Sequence, residues 1–224
     1  MVGKCFGKSS IDMKAMVTAL VVLIVGLSSS LTNAEDVPGN SGGALYRDNC
    51  SVCHGRHAEG NIDFRVPVLA GYPSSYLLRQ IGLFLTGQRT GEDETGRIKT
   101  MITTQNELSA DELVQISMYL SELDIPVLKQ DISSVGLRER DFYSRSCSGC
   151  HGADASGNEV QGSPRLTGQY DWYIKSQLAG FRAGHRGTHD GDKYGRQMKM
   201  MADAIATDAD IDALANYLLT LDTN

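Results

Sequence analysis

Two stretches of the chain repeat apolar residues at helical spacing directly after a capping signal. The first is SADELVQISMYLSEL, residues 109–123, and the second is TDADIDALANYLLTL, residues 207–221. In each, a Ser or Thr is followed three residues later by an acidic residue, which is the pattern of a capping box. Both stretches therefore predict amphipathic helices. Their apolar stripes are Leu113, Ile116, Leu120 and Leu123 in the first, and Ile211, Leu214, Leu218 and Leu221 in the second.

Other segments also follow a helical pattern, and none follows that of a strand. Helical segments precede two cysteine pairs and begin at Tyr76 and Tyr173, while no run alternates convincingly between apolar and polar residues. The chain is thus predicted to be all-α, with long loops that contain many of its 24 glycines. Loops of this length in a small domain need something to pack against.

The chain contains an internal sequence repeat of two similar halves. At the offset between Cys50 and Cys147, ALYRDNCSVCHG aligns with DFYSRSCSGCHG, and PVLAG aligns with PRLTG. YLLRQIGLFLTGQR and YIKSQLAGFRAGHR share their Tyr, Gln, Phe, Gly and Arg positions. A repeat of this length indicates a duplicated domain. We predict domains at residues 35–130 and 131–224, joined near Pro126, which ends the first closing helix.

The first 34 residues are typical of an export signal. Lys4, Lys8 and Lys14 precede the apolar run AMVTALVVLIVGL, and TNA offers a cleavage site before Glu35. The apolar run is short for a membrane span. We therefore predict that residues 1–34 are a cleaved signal peptide and that the mature protein is periplasmic.

Charge and composition narrow the classes of function. The chain carries 21 basic and 27 acidic residues. Residues 1–34 contain more lysines than acidic residues, so cleavage of this segment leaves a mature protein that is more acidic than the full chain. This balance argues against nucleic-acid binding and suits a soluble carrier that meets basic partners. Aromatic residues make up only 7% of the chain, so two small domains would lack bulky core side chains and need another group at their centres.

The repeated motif C-x-x-C-H is the attachment signature of haem c. Its cysteines lie one helical turn apart, so both thiols can reach the haem vinyl groups while the histidine reaches the iron. A zinc site would need converging cysteine pairs, and a structural disulfide gives no reason for a repeated histidine; these remain the alternatives. The sequence therefore predicts two covalent haems. Their attachment residues are Cys50, Cys53, Cys147 and Cys150, and the iron ligands are His54 and His151.

Methionine is the predicted second ligand of each iron. Met101 is the only methionine between His54 and the first closing helix, and we expect it, like its counterpart in the second half, to lie in a loop just before the closing helix. The second half offers three methionines close together. The shared pattern G-R-x-x-x-M pairs Met200 with Met101, which makes Met200 the predicted ligand and leaves Met201 and Met198 as alternatives.

On these motifs, residues 35–224 resemble the dihaem cytochromes c4, which are exported chains of two class I cytochrome c domains. The resemblance implies an all-α fold of tandem duplicated domains, each with about three helices around a covalent haem. It also implies that the carbonyls of Pro67 and Pro164 accept the imidazole protons, and that Tyr76 and Tyr173 lie near haem propionates.

The resemblance further implies an electron carrier that is not an enzyme. Its donor would be a quinol–cytochrome c reductase or a dehydrogenase, and its acceptor a terminal oxidase. Such redox partners are membrane respiratory complexes, and the carrier itself would associate with the membrane at most peripherally. The alternative is a dihaem electron-transfer subunit of one enzyme, such as a flavocytochrome c sulfide dehydrogenase.

Overall fold

The computed structural model describes residues 41–90, 96–128, 130 and 136–221. These residues form ten helices and two isolated β-bridges, without a strand, which confirms the all-α prediction. The first half contains α1 (Ser41–Asn49), α2 (Ser51–His54), α3 (Ser74–Leu85), α4 (Arg97–Asn106) and α5 (Ala110–Ser121); the second contains α6 (Leu137–Ser146), α7 (Ser148–His151), α8 (Asp171–Ala183), α9 (Lys193–Asp203) and α10 (Asp208–Leu219). The predicted signal peptide lies outside the described residues.

Both closing helices begin at the predicted capping boxes. The Ser109 hydroxyl accepts the Glu112 N–H at 3.3 Å, and the Glu112 carboxylate accepts the Ser109 N–H at 2.8 Å. Thr207 and Asp210 make the same pair of bonds at 3.1 Å each. These bonds satisfy amide groups that a helix N-terminus leaves without a partner inside the helix.

The closing helices bury their apolar stripes against the helices of their own half. Helix α5 packs on α1 and α3, and α10 packs on α6 and α8. The matching ring pairs Tyr46–Tyr119 and Tyr143–Tyr217 each have centroids 5.6 Å apart. The two halves therefore have the same arrangement of packed helices, as the repeat predicts.

Helices α4 and α9 correct one expectation. We expected Met101 and Met200 in loops before the closing helices, but both lie within helices. Neither helix sequence contains proline. In addition, Asp192 caps α9 by accepting the Gly195 N–H at 2.9 Å. The methionines are consequently held on regular backbone.

The halves pack directly on each other. Tyr170, Trp172 and Tyr173 of the second half join the apolar cluster around Tyr46 and Leu120 of the first half. The core of one half is thus completed by the other. The boundary at residues 130 and 131 stays a prediction. Among the described helices, none is both long and apolar enough to cross a bilayer.

Candidate haem-binding sites

Each cysteine pair brackets one short helical turn that ends at the histidine. The His54 N–H bonds to the Cys50 carbonyl at 3.0 Å, and the His151 N–H bonds to the Cys147 carbonyl at the same distance. The glycine that follows each histidine has φ 84°, a conformation that favours residues without a Cβ. The chain therefore turns sharply away immediately after the histidine.

A buried tyrosine fixes this turn in each half. The Tyr46 hydroxyl donates to the Gly55 carbonyl at 2.7 Å, and the Tyr143 hydroxyl donates to the Gly152 carbonyl at 2.7 Å. Both tyrosine side chains are almost completely buried. The motif is thus anchored to the packed helices through α1 and α6, where these tyrosines lie.

None of the four repeated cysteines forms a disulfide with another described residue. Cys53 and Cys150 are exposed, while Cys50 and Cys147 are half-buried. Burial, reinforced by the neighbouring thiol of each motif, raises the pKa of both half-buried cysteines to about 11. No three His, Cys, Asp or Glu side chains among the described residues converge to hold a metal ion.

The histidines are oriented by the proline carbonyls that the resemblance implied. Nδ1 of His54 lies 3.1 Å from the Pro67 carbonyl oxygen, and Nδ1 of His151 lies 2.8 Å from that of Pro164. Burial lowers the pKa of His54 to about 4, although the bond to Pro67 opposes this effect, and the pKa of His151 is lowered for the same reason. Each imidazole is therefore neutral, with Nδ1 donating and the Nε2 lone pair left for an iron.

The methionines differ in exposure. Met101 and Met198 are half-buried, whereas Met200 is 67% exposed and Met201 38% exposed. All three methionines of the second half lie on α9. Ligation by Met101 and Met200 stays a prediction.

The tyrosines, glutamines and arginines of the repeated Y-x-x-x-Q-x-x-x-F-x-x-G-x-R segments meet between the halves. Arg89 donates to Gln80 and Gln177 at 2.9 Å each and to the Tyr173 hydroxyl at 2.7 Å. Arg186 donates to the same two glutamine oxygens at 2.8 Å and 2.5 Å. We call these residues the interface quartet: Gln80, Arg89, Gln177 and Arg186. Tyr76 interacts electrostatically with Arg186, in the position that corresponds to the bond between Tyr173 and Arg89.

The interface quartet concentrates buried positive charge. Burial, and then the neighbouring Arg89, lower the pKa of Arg186 to about 10. Burial alone raises the pKa of Tyr173, but the two guanidinium groups outweigh it and lower that pKa. No carboxylate within the described residues pairs with either guanidinium. Such a site favours an anionic group nearby.

Three further buried donors have no hydrogen-bond acceptor in the described part of the chain: Nε of Arg79, Nε of Arg165 and Nε1 of Trp172. Unpaired buried donors are costly and call for an explanation. Each haem c carries two propionates, which are anionic acceptors. Together with the paired thiols and the free Nε2 atoms, these donors and guanidinium groups fit haem c in both halves.

The sequence did not identify the arginines as functional residues. Arg89 and Arg186 belong to a repeated G-x-R pattern, which was the available signal, but each also bonds to a glutamine of the opposite half. Arg165 stands where the first half has Val68, so the repeat offered no signal for it.

The comparisons with known proteins agree with this geometry. The Cytochrome c family profile matches residues 40–124 and 140–222. The chain is 32% identical to cytochrome c4 of Stutzerimonas stutzeri and 32% identical to cytochrome c4 of Azotobacter vinelandii, covering 92% of this chain and 97% of the relative in both cases. The crystal structure of reduced recombinant cytochrome c4 from Pseudomonas stutzeri superposes with a TM-score of 0.62 at 26% identity, covering 81% of this chain and 97% of that one.

Proposed function

The chain belongs to the cytochrome c family, with one domain in each half, and we propose that it is a periplasmic dihaem carrier of single electrons between a respiratory donor and a terminal oxidase. The donor would be a quinol–cytochrome c reductase or a dehydrogenase. The cytochrome c4 relatives span nearly the whole chain, so they support electron transfer by two haems c.

One observation carries the proposal: the same donor set occurs twice with the same supporting bonds. In each half, a neutral imidazole that is buried or half-buried donates through Nδ1 to a proline carbonyl, and its residue follows the two cysteines by four positions and one position. The thiols would hold the haem covalently, and the imidazole would bind its iron through Nε2. Haem c supplies a reversible Fe(III)/Fe(II) couple when bound.

We further propose that Met101 and Met200 complete the iron coordination. A histidine and a methionine together leave no open position for oxygen or peroxide, so the site passes electrons and does not activate a substrate. Helices α4 and α9 hold these methionines on regular backbone, which restricts rearrangement when the iron changes charge.

The partners follow from charge. The chain has a formal net charge of −6, so its docking partners would present basic patches. The predicted export signal supports a periplasmic location, and membrane association would be peripheral. The relatives reported above are cytochromes c4, which does not favour the flavocytochrome subunit over a free carrier.

A titration of the purified holoprotein tests this function. We expect two one-electron steps and, in the reduced protein, no reaction with carbon monoxide or peroxide. Rapid carbon monoxide binding by native protein would show an open iron position and overturn the carrier assignment. Co-purification of a flavoprotein in fixed ratio would instead favour the subunit alternative.

A further inference from the structure

A side chain from the second half holds the backbone beside His54. Gln169 is only 2% exposed. Its Oε1 accepts the N–H groups of Val68 and Tyr170 at 3.1 Å and 3.0 Å. Its Nε2 donates to the Val68 carbonyl at 3.0 Å and to the Tyr72 hydroxyl at 3.2 Å. All four bonding positions of the amide are used, and a flipped amide would set its oxygen against the Val68 carbonyl oxygen, so the partners fix its orientation.

The Val68 N–H belongs to the same peptide group as the Pro67 carbonyl. That carbonyl accepts the Nδ1–H of His54, so a continuous series of bonds runs from Gln169 through one peptide group to the imidazole. Hydrogen bonds in series polarise one another, so an acceptor on the N–H makes the carbonyl oxygen a better acceptor. A better acceptor at Nδ1 raises the basicity of a ligating imidazole.

The second half lacks this series. The equivalent peptide N–H, on Arg165, has no acceptor among the described residues. The first-half residue at the repeat position of Gln169 is Tyr72, whose hydroxyl accepts from Gln169. Arg165 instead donates through its guanidinium to the Ala70 carbonyl and stacks 4.2 Å from the centroid of the Tyr72 ring. Within the described residues, a side chain of the second half therefore supports the Pro67–Val68 peptide, and no side chain of the first half supports the Pro164–Arg165 peptide in this way.

We propose that Gln169 is a positioning residue for His54 and lowers the reduction potential of the first haem. This inference rests on the proposed function, in which His54 binds the first iron. A more basic imidazole stabilises Fe(III) over Fe(II), which lowers the potential. The histidine–proline bond measures 3.1 Å at His54 and 2.8 Å at His151. The Gln169 amide therefore supports the longer of the two bonds. The second half thus tunes the haem of the first.

The test replaces Gln169 by methionine in the full holoprotein. Methionine keeps the chain length but cannot accept or donate as the amide does. We expect Gln169→Met to raise the potential of the first haem and leave that of the second unchanged, in a redox titration followed by the haem methyl resonances of each site. The Nδ1 proton of His54 should move upfield, as a weaker hydrogen bond requires.

Gln130→Met is the matched control. Gln130 donates to the Gln169 carbonyl at 3.1 Å and accepts the Asp171 N–H at 2.9 Å, without touching the Pro67–Val68 peptide. It should leave both potentials in place. An equal shift of the first haem by the control, or no shift by Gln169→Met, would overturn the inference.

A measurement on the unmodified holoprotein covers the case in which Gln169→Met does not fold. The Val68 amide proton should exchange with solvent more slowly than the Arg165 amide proton, and faster exchange at Val68 would overturn the inference. Native protein without a haem in its first half would count against the proposed function. Native protein with both haems and an unshifted first potential in Gln169→Met counts against this inference alone.

Discussion

The loop after the histidine is the same in both halves but is packed differently. Residues 61–66 and 158–163 are each closed by an antiparallel bridge. In the first half, Ile62 and Phe64 are 49% and 61% exposed. In the second half, the Gly162 carbonyl accepts the guanidinium of Arg79 from the first half at 2.6 Å. Both copies of the loop expose apolar side chains, since Val160 of the second is 95% exposed, but the second also takes part in the contact between the halves.

The two loops share a left-handed backbone at one position that different residues occupy. Arg65 has φ 50° and Gly162, its repeat equivalent, has φ 67°. A Cβ at Gly162 would lie 2.8 Å from the ring of Tyr194, so the second loop requires glycine for space as well as conformation. The glycine stands where the second loop packs on Tyr194, whose ring is also covered by Arg79 of the first half.

The largest expected effect tests the likeness of the haem sites. Cys50→Ala with Cys53→Ala should remove one haem and unfold the first half, because the haem replaces missing apolar core and its binding is coupled to folding. Cys147→Ala with Cys150→Ala should do the same to the second half. Haem content per chain and circular dichroism measure both effects.

Val52→Ala is the control for the cysteine variants. Val52 lies between the first two cysteines but is 91% exposed, so this change should leave both haems in place. A chain that is folded and soluble after losing the cysteines of one half would contradict the coupling of haem to folding.

The next effect concerns the methionines, where the halves differ in the number of candidates. Met101→Ala and Met200→Ala should each abolish the thioether–iron charge-transfer absorption of one haem and lower its potential, because methionine ligation raises it. Met198→Ala and Met201→Ala should leave the band in place. If Met201→Ala removes the band and Met200→Ala does not, the alignment of the two halves is wrong by one residue.

Replacing the glutamine of either half in the interface quartet should lower the free energy of unfolding by the same amount. Gln80 and Gln177 each accept from both Arg89 and Arg186. Replacing either glutamine by leucine removes an acceptor shared by two buried guanidinium groups and should cost about 1–3 kcal/mol of unfolding free energy. Chemical denaturation of the holoproteins measures this cost. Gln161→Leu, on the exposed surface, should change stability by no more than about 0.5 kcal/mol. A large cost on one side alone would show that the quartet is not symmetric.

The smallest effect separates the two loops. Gly162→Ala should destabilise the protein by about 1 kcal/mol, because the new Cβ meets Tyr194 and the positive φ disfavours alanine. Arg65→Gly should stay within about 0.5 kcal/mol, since relief of the positive φ is offset by the greater entropy of glycine in the unfolded chain. Thermal melts of both variants measure the difference, and equal destabilisation would mean that both loops are covered.

Local signals in the sequence predicted the closing helices and their capping boxes. The repeat also led to the two histidine–proline contacts, through the family resemblance. These features depend on residues close in sequence or repeated at a fixed offset. Helix α4 was missed because RIKTMITTQN carries no side-chain cap and several β-branched residues, so its own propensity is weak.

The contacts between the halves could not be predicted from the sequence, for a physical reason. Gln169 acts on Val68, a residue far away in the chain, and its repeat equivalent Tyr72 has different chemistry. Neither periodicity nor the repeat could therefore mark it. Such a contact follows from how two similar surfaces pack, and only the folded structure shows it.

The central claim is that each half holds one haem covalently through its own cysteine pair. The most direct test is the mass of the mature protein, purified from its native source and measured under denaturing and reducing conditions. We predict a chain that keeps two haems, one on the peptide containing Cys50 and Cys53 and one on that containing Cys147 and Cys150. A chain whose mass equals that of the fully reduced polypeptide, with no haem attached, would contradict the account.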